Sequence, residues 1–293
     1  MRFLTPFVAS ARYNLRTTRL RAPLVWFRHR GLNPNDVFLA SYPRSGNTWM
    51  RFLLSEVLTE TEADFRDVGF TVADIRYYKK GSRLLGDGRI VKTHESYRRE
   101  YKKAIYFVRD PRDVAVSYHE FDQFDVKFDD FVELFVRGKV NAFGPWQRHV
   151  GGWLNSPLAD AGNLLVIRYE DMRLHPEDIL AKALQFLGVS ATRETIRTAI
   201  ANNDLQRMRV KEDRARATGI GFCGEPIRSR GRRIRNGSIG EWRERLTDAQ
   251  ARIIEDHAGE LLAKLGYTEE PNLPAVILKP AVHLSDSDAV AEA

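Results

Sequence analysis

Residues 41–54 read SYPRSGNTWMRFLL. The stretch from Val37 to Ser41 has the apolar character of a buried strand, and it runs through Pro-Arg-Ser-Gly-Asn straight into an apolar-periodic segment with Trp49 in its first turn. So short a passage from strand to helix gathers unpaired backbone N–H groups and the positive end of a helix dipole around one small volume, which suits an anion. Gly46 lets the backbone approach a ligand, Ser45, Asn47 and Thr48 add side-chain donors, and Arg44 adds a guanidinium. The same residues also fit an ordinary connection with Asn47 or Thr48 as the helix cap. The pattern G-x-x-x-x-G-K-[ST] of triphosphate-binding loops is absent.

A second strand, proline turn and helix follow in IYFVRDPRDVAVSYHEF, residues 105–121. Arg109 ends the strand and Ser117 falls near the second helical turn. In a parallel sheet such ends converge on one crevice, so the two can hold a second anionic group. Alternatively Arg109 pairs with Asp110 or Asp113 and Ser117 packs. A third segment, RIRNGSIGEWRERLT at residues 233–247, is a basic, glycine-punctuated loop in which Arg235 and the backbone at Gly237 suit the same anion. As a bare cluster, the arginines of 228–235 read equally well as a solvated face.

The elements that must position these residues follow from the alternation of short apolar runs with longer periodic ones. Strands are expected at 37–42, 89–93, 104–109 and 164–168. Helices are expected at 48–58, 112–121, 128–137, 145–154, 176–187, 192–202 and 248–265. This order predicts an α/β fold, a P-loop-like parallel sheet with helices on both faces in one domain. Residues 211–240 carry no clean period and are expected to be a long functional loop.

The 293 residues are 43% hydrophobic, enough for a substantial core. Arginine outnumbers lysine 35 to 11 within a net charge of +7, a bias that favours phosphate or sulfate ligands. One cysteine, Cys223, excludes an intramolecular disulfide and points to a reducing, cytoplasmic setting. No stretch reaches the length of a membrane span. Residues 1–35 form a basic aromatic extension without an acid, read as a segment that docks peripherally on an inner membrane surface, targets the chain or packs on its own domain. Residues 36–275 form the main domain, and 276–293 a frayed tail.

Together these segments resemble the sulfotransferases that use 3′-phosphoadenosine 5′-phosphosulfate (PAPS), especially the cytosolic type. The family's Y-P-K-S-G-T-T-W loop stands here as Tyr42-Pro43-Arg44-Ser45-Gly46-Asn47-Thr48-Trp49, its 3′-phosphate segment as Arg109 to Tyr118, and its R-K-G-x-x-G-D-W loop as Arg235-Asn236-Gly237-Ser238-Ile239-Gly240-Glu241-Trp242. A K-T-H element stands as Lys92-Thr93-His94, and Y-E-D as Tyr169-Glu170-Asp171. The resemblance implies that residues 44–49, Arg109, Ser117, Tyr169, Arg235, Asn236 and Gly237 bind the donor and its product adenosine 3′,5′-bisphosphate (PAP), with no metal. Trp49 stands for the family's adenine-stacking residue, and Asn203 and Leu205 for two further adenine contacts. Arg44 replaces a lysine, giving a planar fork for a point charge, and Asn236 replaces another, removing a charge from the 3′ clamp.

The resemblance further implies in-line sulfuryl transfer to a hydroxyl or amine, with His94 as general base and Lys92 and Arg44 neutralising charge. His119 and His149 read as packed residues. The acceptor is expected to be a small molecule, carbohydrate or lipid and not a nucleic acid. Phe70, Tyr77, Tyr78 and Tyr97 fall where they can wall its pocket. Two rivals predict different ligands: a P-loop kinase or phosphotransferase, requiring Mg²⁺ and ATP, and a non-catalytic basic protein that binds membranes or polyanions.

Overall fold

Alternate residues of each strand serve opposite layers, as the two-residue period of a strand requires. Phe38 and Ala40, Ala104, Tyr106 and Val108, and Leu164 and Val166 pack into one core with Phe131, Phe135, Trp146 and Trp153. Leu39, Ile105 and Phe107, and Leu165 and Ile167 pack into another with Leu53, Leu54, Leu180, Leu184 and Ile196. Both faces of the sheet are thus covered, and this is why the strands read as nearly continuous apolar runs.

The computed structural model describes residues 22–76, 84–122, 126–227 and 231–268. The expectations for residues 1–21, Tyr77, Tyr78, Arg228 and the tail lie outside these. Five parallel strands, β1 (Val37–Ser41), β2 (Ala73–Asp74), β3 (Ile90–Thr93), β4 (Lys103–Val108) and β5 (Leu164–Arg168), lie in the order β2-β3-β1-β4-β5. The chain builds on one side of β1 and then crosses to the other, which opens a crevice at the carboxyl ends beside β1. The pairings Ala40 with Thr93, Ser41 with Phe107 and Val108 with Arg168 bring the residues that follow each strand to one edge.

Helices Asn47–Thr59, Pro111–Asp122, Phe128–Val136, Trp146–Leu154, Pro176–Leu187 and Arg193–Asn202 lie where the apolar period places them. Three differences have physical causes. The expected loop from residue 211 is helical to Thr218, as part of a helix Leu205–Thr218 that begins where the Asp204 side chain accepts from the Arg207 N–H and ends at Gly219 in the left-handed region. Its largely polar sequence has no apolar stripe to reveal it. The expected helix 248–265 breaks at Gly259 (φ 56°, ψ −140°) into Asp248–Ala258 and Glu260–Lys264. A short helix, Tyr169–Leu174, follows β5 directly.

That short helix presses on the turn after β1. A Cβ on Gly46, whose φ is +89°, would lie 2.7 Å from Tyr169 Cδ2 and 3.0 Å from Met172 Cε. Both the backbone and the space therefore demand glycine. Gly46→Ala is expected to lose about 1–3 kcal/mol of unfolding free energy in denaturant titration; an unchanged midpoint would mean that the turn relaxes freely.

Candidate active site

The edge where β1, β3, β4 and β5 end carries a cavity of about 200 Å³. Among the described residues five arginines line it, Arg44, Arg109, Arg173, Arg233 and Arg235, and no aspartate or glutamate does. Trp49, Tyr169, Leu205, Met208 and Ile234 supply apolar walls. The arrangement suits a ligand that joins an aromatic ring to more than one negative charge.

The two β-to-α junctions meet there directly. Arg44, held at φ 73° by the turn, donates from Nε to Ser117 Oγ at 3.0 Å. Arg109 donates from Nη1 to the Arg44 carbonyl at 3.4 Å and from Nη2 to the Ser238 carbonyl at 2.8 Å, so it also joins the third segment. The Arg109 guanidinium sits 4.4 Å from the Tyr169 ring centre, and its contact with Asp113 is 3.6 Å. The pairing with Asp113 fits the structural reading of Arg109, and its place in the cavity wall leaves it within reach of a ligand. Burial, and then the charges of Arg109, Arg235 and Arg233, bring the Arg44 guanidinium down to about 10, the mark of cations gathered without sufficient counter-charge.

Buried carboxylates behind the cavity hold its basic loop in place. Glu212, fully buried, accepts the backbone N–H of Arg233 at 2.7 Å and of Ile234 at 2.9 Å. Asp113 accepts those of Gly240 and Trp242 at 2.8 and 3.0 Å. The loop is a fixed wall. Arg235 is paired with Glu120 and Glu241, while Asn236 and Gly237 complete the lining. Among the buried side-chain polar atoms of the residues that line it, Asn47 Oδ1, Arg109 Nε and Arg235 Nε have no hydrogen-bond partner; orphaned groups gathered around one cavity are the mark of a polar ligand's place.

Other expected residues differ in how they sit. Thr48 and Trp49 line the cavity, with Trp49 fixed by donation from Nε1 to the Asn203 carbonyl at 2.8 Å. Asn47 lines the cavity too, while its amide nitrogen is spent inward, donating to the Leu39 carbonyl at 3.0 Å and Ser41 Oγ at 3.3 Å. Ser45 is buried and does not reach the cavity wall. Neither does Lys92, which lies in β3 with its ammonium 3.4 Å from Asp74 Oδ2. Tyr97 packs on Trp153 and is not in the wall, and Phe70 is 45% exposed. Glu170 of the Y-E-D element accepts the Asp110 N–H at 3.2 Å and the Tyr267 hydroxyl at 2.9 Å behind Arg109, and burial raises its carboxyl to about 7.

His94 stands at the end of β3 in the cavity wall, its ring 5.7 Å from that of Phe143. Its Nδ1 is 2.8 Å from the Ser41 carbonyl. A carbonyl only accepts, so Nδ1 carries the proton and Nε2 keeps its lone pair. Burial, and then the charge of Lys92, hold the imidazolium form well below its usual range; His94 is a neutral base at pH 7. His149, buried on the helix Trp146–Leu154, hydrogen-bonds the His94 carbonyl from Nε2 at 3.0 Å and Tyr106 through Nδ1 at 2.9 Å. It is a packed residue that steadies the His94 backbone. His119 packs edge-on against Phe128 and Phe131.

Sequence reasoning did not assign Phe121, Arg173, Met208, Arg233 and Ile234 to the cavity. Helical spacing carries a signal for three of them: Phe121 and Arg173 lie four residues beyond Ser117 and Tyr169, and Met208 three beyond Leu205. Phe121 underlies the Arg44 guanidinium at 4.4 Å, and Arg173 lies 5.4 Å from the Trp49 ring. Among the described residues no group of three His, Cys, Asp or Glu side chains could hold a metal ion, and no helix is long and apolar enough to cross a membrane.

Known proteins are similar to this chain in sequence and in fold. Residues 34–266 match the sulfotransferase domain. Sulfotransferase 1 family member D1 of Rattus norvegicus is 28% identical over 246 residues, 76% of this chain and 82% of its own length. Sulfotransferase 1A1 of Mus musculus is 28% identical over 262 residues, 80% and 87% of the two chains. Among solved structures, retinol dehydratase in complex with androsterone and PAP superposes with a TM-score of 0.64 at 21% identity, covering 82% of this chain and 85% of that one. Mouse sulfotransferase SULT7A1 complexed with PAP gives 0.60 at 23% identity, over 83% and 90%. The strand-end loops, the arginine-lined cavity and a match that spans most of the sequence have one common account: the chain belongs to the sulfotransferase domain family.

Proposed function

We propose that this sulfotransferase moves the sulfuryl group of PAPS to a hydroxyl or amine of a small acceptor. One observation carries the donor assignment: a cavity with five arginines, no carboxylate in its lining, and an aromatic wall at Trp49. The bound donor supplies a sulfuryl group already activated on a phosphate. Arg44, Gly46 and Thr48 bind at its 5′ end, while Arg109, Ser117, Arg235, Asn236 and Gly237 hold its 3′-phosphate. Trp49, Asn203 and Leu205 take the adenine, and Tyr169 backs Arg109. Ser45 and Asn47 contribute mainly through the backbone of the turn. Positioning and charge stabilisation supply most of the rate. The Nε2 atom of His94 accepts the acceptor's proton as the new S–O bond forms and the S–O bond to the 5′-phosphate breaks, releasing PAP. Lys92 and Arg44 offset the charge that develops on the sulfuryl oxygens and the departing phosphate.

A second observation favours a lipid surface as a contact. In the helix Ala22–His29 no residue is buried, and Leu24, Trp26 and Phe27 are 48%, 63% and 59% exposed. The segment up to Asp36 carries arginines and no acid. Such a basic aromatic helix suits the headgroup region of an anionic bilayer, with the protein cytoplasmic and the acceptor a lipid or carbohydrate hydroxyl.

Thermal shift with PAP alone is expected to raise Tm, while ATP with Mg²⁺ is not; Arg109→Ala should abolish the PAP shift. Stabilisation by ATP with Mg²⁺ alone would favour the kinase reading. His94→Ala should keep the PAP shift and lose about 10²-fold or more of sulfuryl transfer from sulfur-labelled PAPS. Because the His94 imidazolium lies low, the base stays neutral as pH falls from 8 to 6, so wild-type turnover should show no His94 loss in that window. Turnover that falls toward acid with a midpoint near 6.5 would contradict the assigned environment. Vesicles of phosphatidylserine and phosphatidylcholine should float with the protein, more weakly for Trp26→Ala. Equal flotation of neutral vesicles, or turnover of soluble phenols and sugars but not lipids, would remove the lipid-surface reading.

A further inference from the structure

Lys92 does not line the cavity, although the lysine of a K-T-H element is expected to meet the reacting group. The register of the sheet accounts for its position. Asp74 is the Cα partner of Lys92 in the two-residue strand β2, and the Ile75 N–H donates to the Lys92 carbonyl at 3.1 Å. The Lys92 ammonium consequently lies 3.4 Å from Asp74 Oδ2, with side-chain exposures of 8% and 1%. Two residues further along the chain, just past the end of β3, stands His94.

The two partners of Asp74 are unequal. Arg76 grips the carboxylate with both arms, Nε to Oδ1 at 2.9 Å and Nη2 to Oδ2 at 2.8 Å, and its own N–H adds a third bond to Oδ1 at 3.0 Å. The Lys92 contact is longer and single. If Lys92 leaves, Asp74 keeps its hydrogen bonds and no bare carboxylate is stranded in the interior, the event that makes breaking most buried ion pairs costly. The lysine stem is also flexible and its ammonium turns freely among acceptors.

We propose that Asp74 is a positioning residue: its carboxylate holds the Lys92 ammonium in reserve beside His94 and yields it to the anionic group that the cavity binds. The proposal rests on the sulfotransferase reading and extends it to a residue outside the motifs. The groups facing Lys92 are Asp74 and Arg76 from β2 and the turn after it, Arg51 from the helix Asn47–Thr59, and His94 at the end of its own strand. Burial and the two guanidiniums drive the Lys92 proton off, and Asp74 works against them, leaving Lys92 at about 7. Without the carboxylate, Lys92 would be an uncharged amine at neutral pH and useless as a counter-ion.

The test is a ¹³C NMR titration of the lysine ε-methylenes in the full chain, where 11 lysines make the signals tractable and Lys92→Arg identifies the one of interest. Asp74→Asn should move the Lys92 midpoint to lower pH by roughly one to three units, and Asp74→Glu should leave it near the wild-type value. Saturating PAP should raise the wild-type midpoint as the 5′-phosphate takes over from Asp74. A midpoint unchanged in Asp74→Asn, in a variant that thermal shift shows to bind PAP, would overturn the role of Asp74 alone. A wild-type midpoint that PAP leaves untouched, although PAP is bound, would overturn the hand-over. Failure of wild type to bind PAP at all would remove the donor reading and this proposal with it.

Discussion

Parallel pairing of β1 with β3 and β4, and of β4 with β5, governs everything that follows. The register puts the carboxyl ends of four strands level, so that chain segments separated by 53 to 129 residues in sequence exchange hydrogen bonds at one edge: Ser41 with His94, Arg44 with Ser117, and Arg109 with Ser238. A slip of one residue in β3 or β4 would turn His94 or Arg109 to the other face of the sheet. The apolar alternation that fills two cores is therefore also what aims His94 and Arg109 at the cavity. Core packing and site geometry are one constraint, not two.

The charge of the site is organised from behind. Five arginines face the cavity and the acids that balance them lie outside its lining: Asp113 and Glu212 under the basic loop, Glu120 and Glu241 on Arg235, and Asp74 under Lys92. Carboxylates so placed fix backbone and side-chain positions without cancelling the field in front. Arg44 records the outcome, since its guanidinium is depressed by burial and by its cationic neighbours. His94 records it too, because a buried imidazole beside Lys92 stays neutral and its Nδ1–H is committed to Ser41.

Much of this was legible in residue order. The strands around residues 37–41, 90–93, 103–108 and 164–168 are apolar because both faces are covered, and such runs announce themselves. The tight turn at residues 42–49 was legible because such turns need few residue types. Helix Leu205–Thr218 was not, since a charged helix fixed by its caps and a few buried contacts has no stripe to read. The two-residue strand β2 falls below any periodic signal, and with it the partnership of Asp74 and Lys92. The inward turn of the Asn47 amide is a tertiary effect: it satisfies the Leu39 carbonyl at a place where the sequence offers only a generic donor. The fixed state of the loop near Arg235 was also hidden, because its anchors Glu212 and Asp113 lie 21 and 127 residues away in sequence from the groups they hold.

The convergence of the two β-to-α junctions on one ligand is tested most directly by a crystal structure of the protein with PAP. One phosphate should sit on the turn at residues 44–48 and the other between Arg109 and Ser117, with the adenine against Trp49 and His94 Nε2 left open toward the acceptor side. A bisphosphate bound with either phosphate away from these junctions, or an Arg109 side chain that makes no contact with it, would contradict the account.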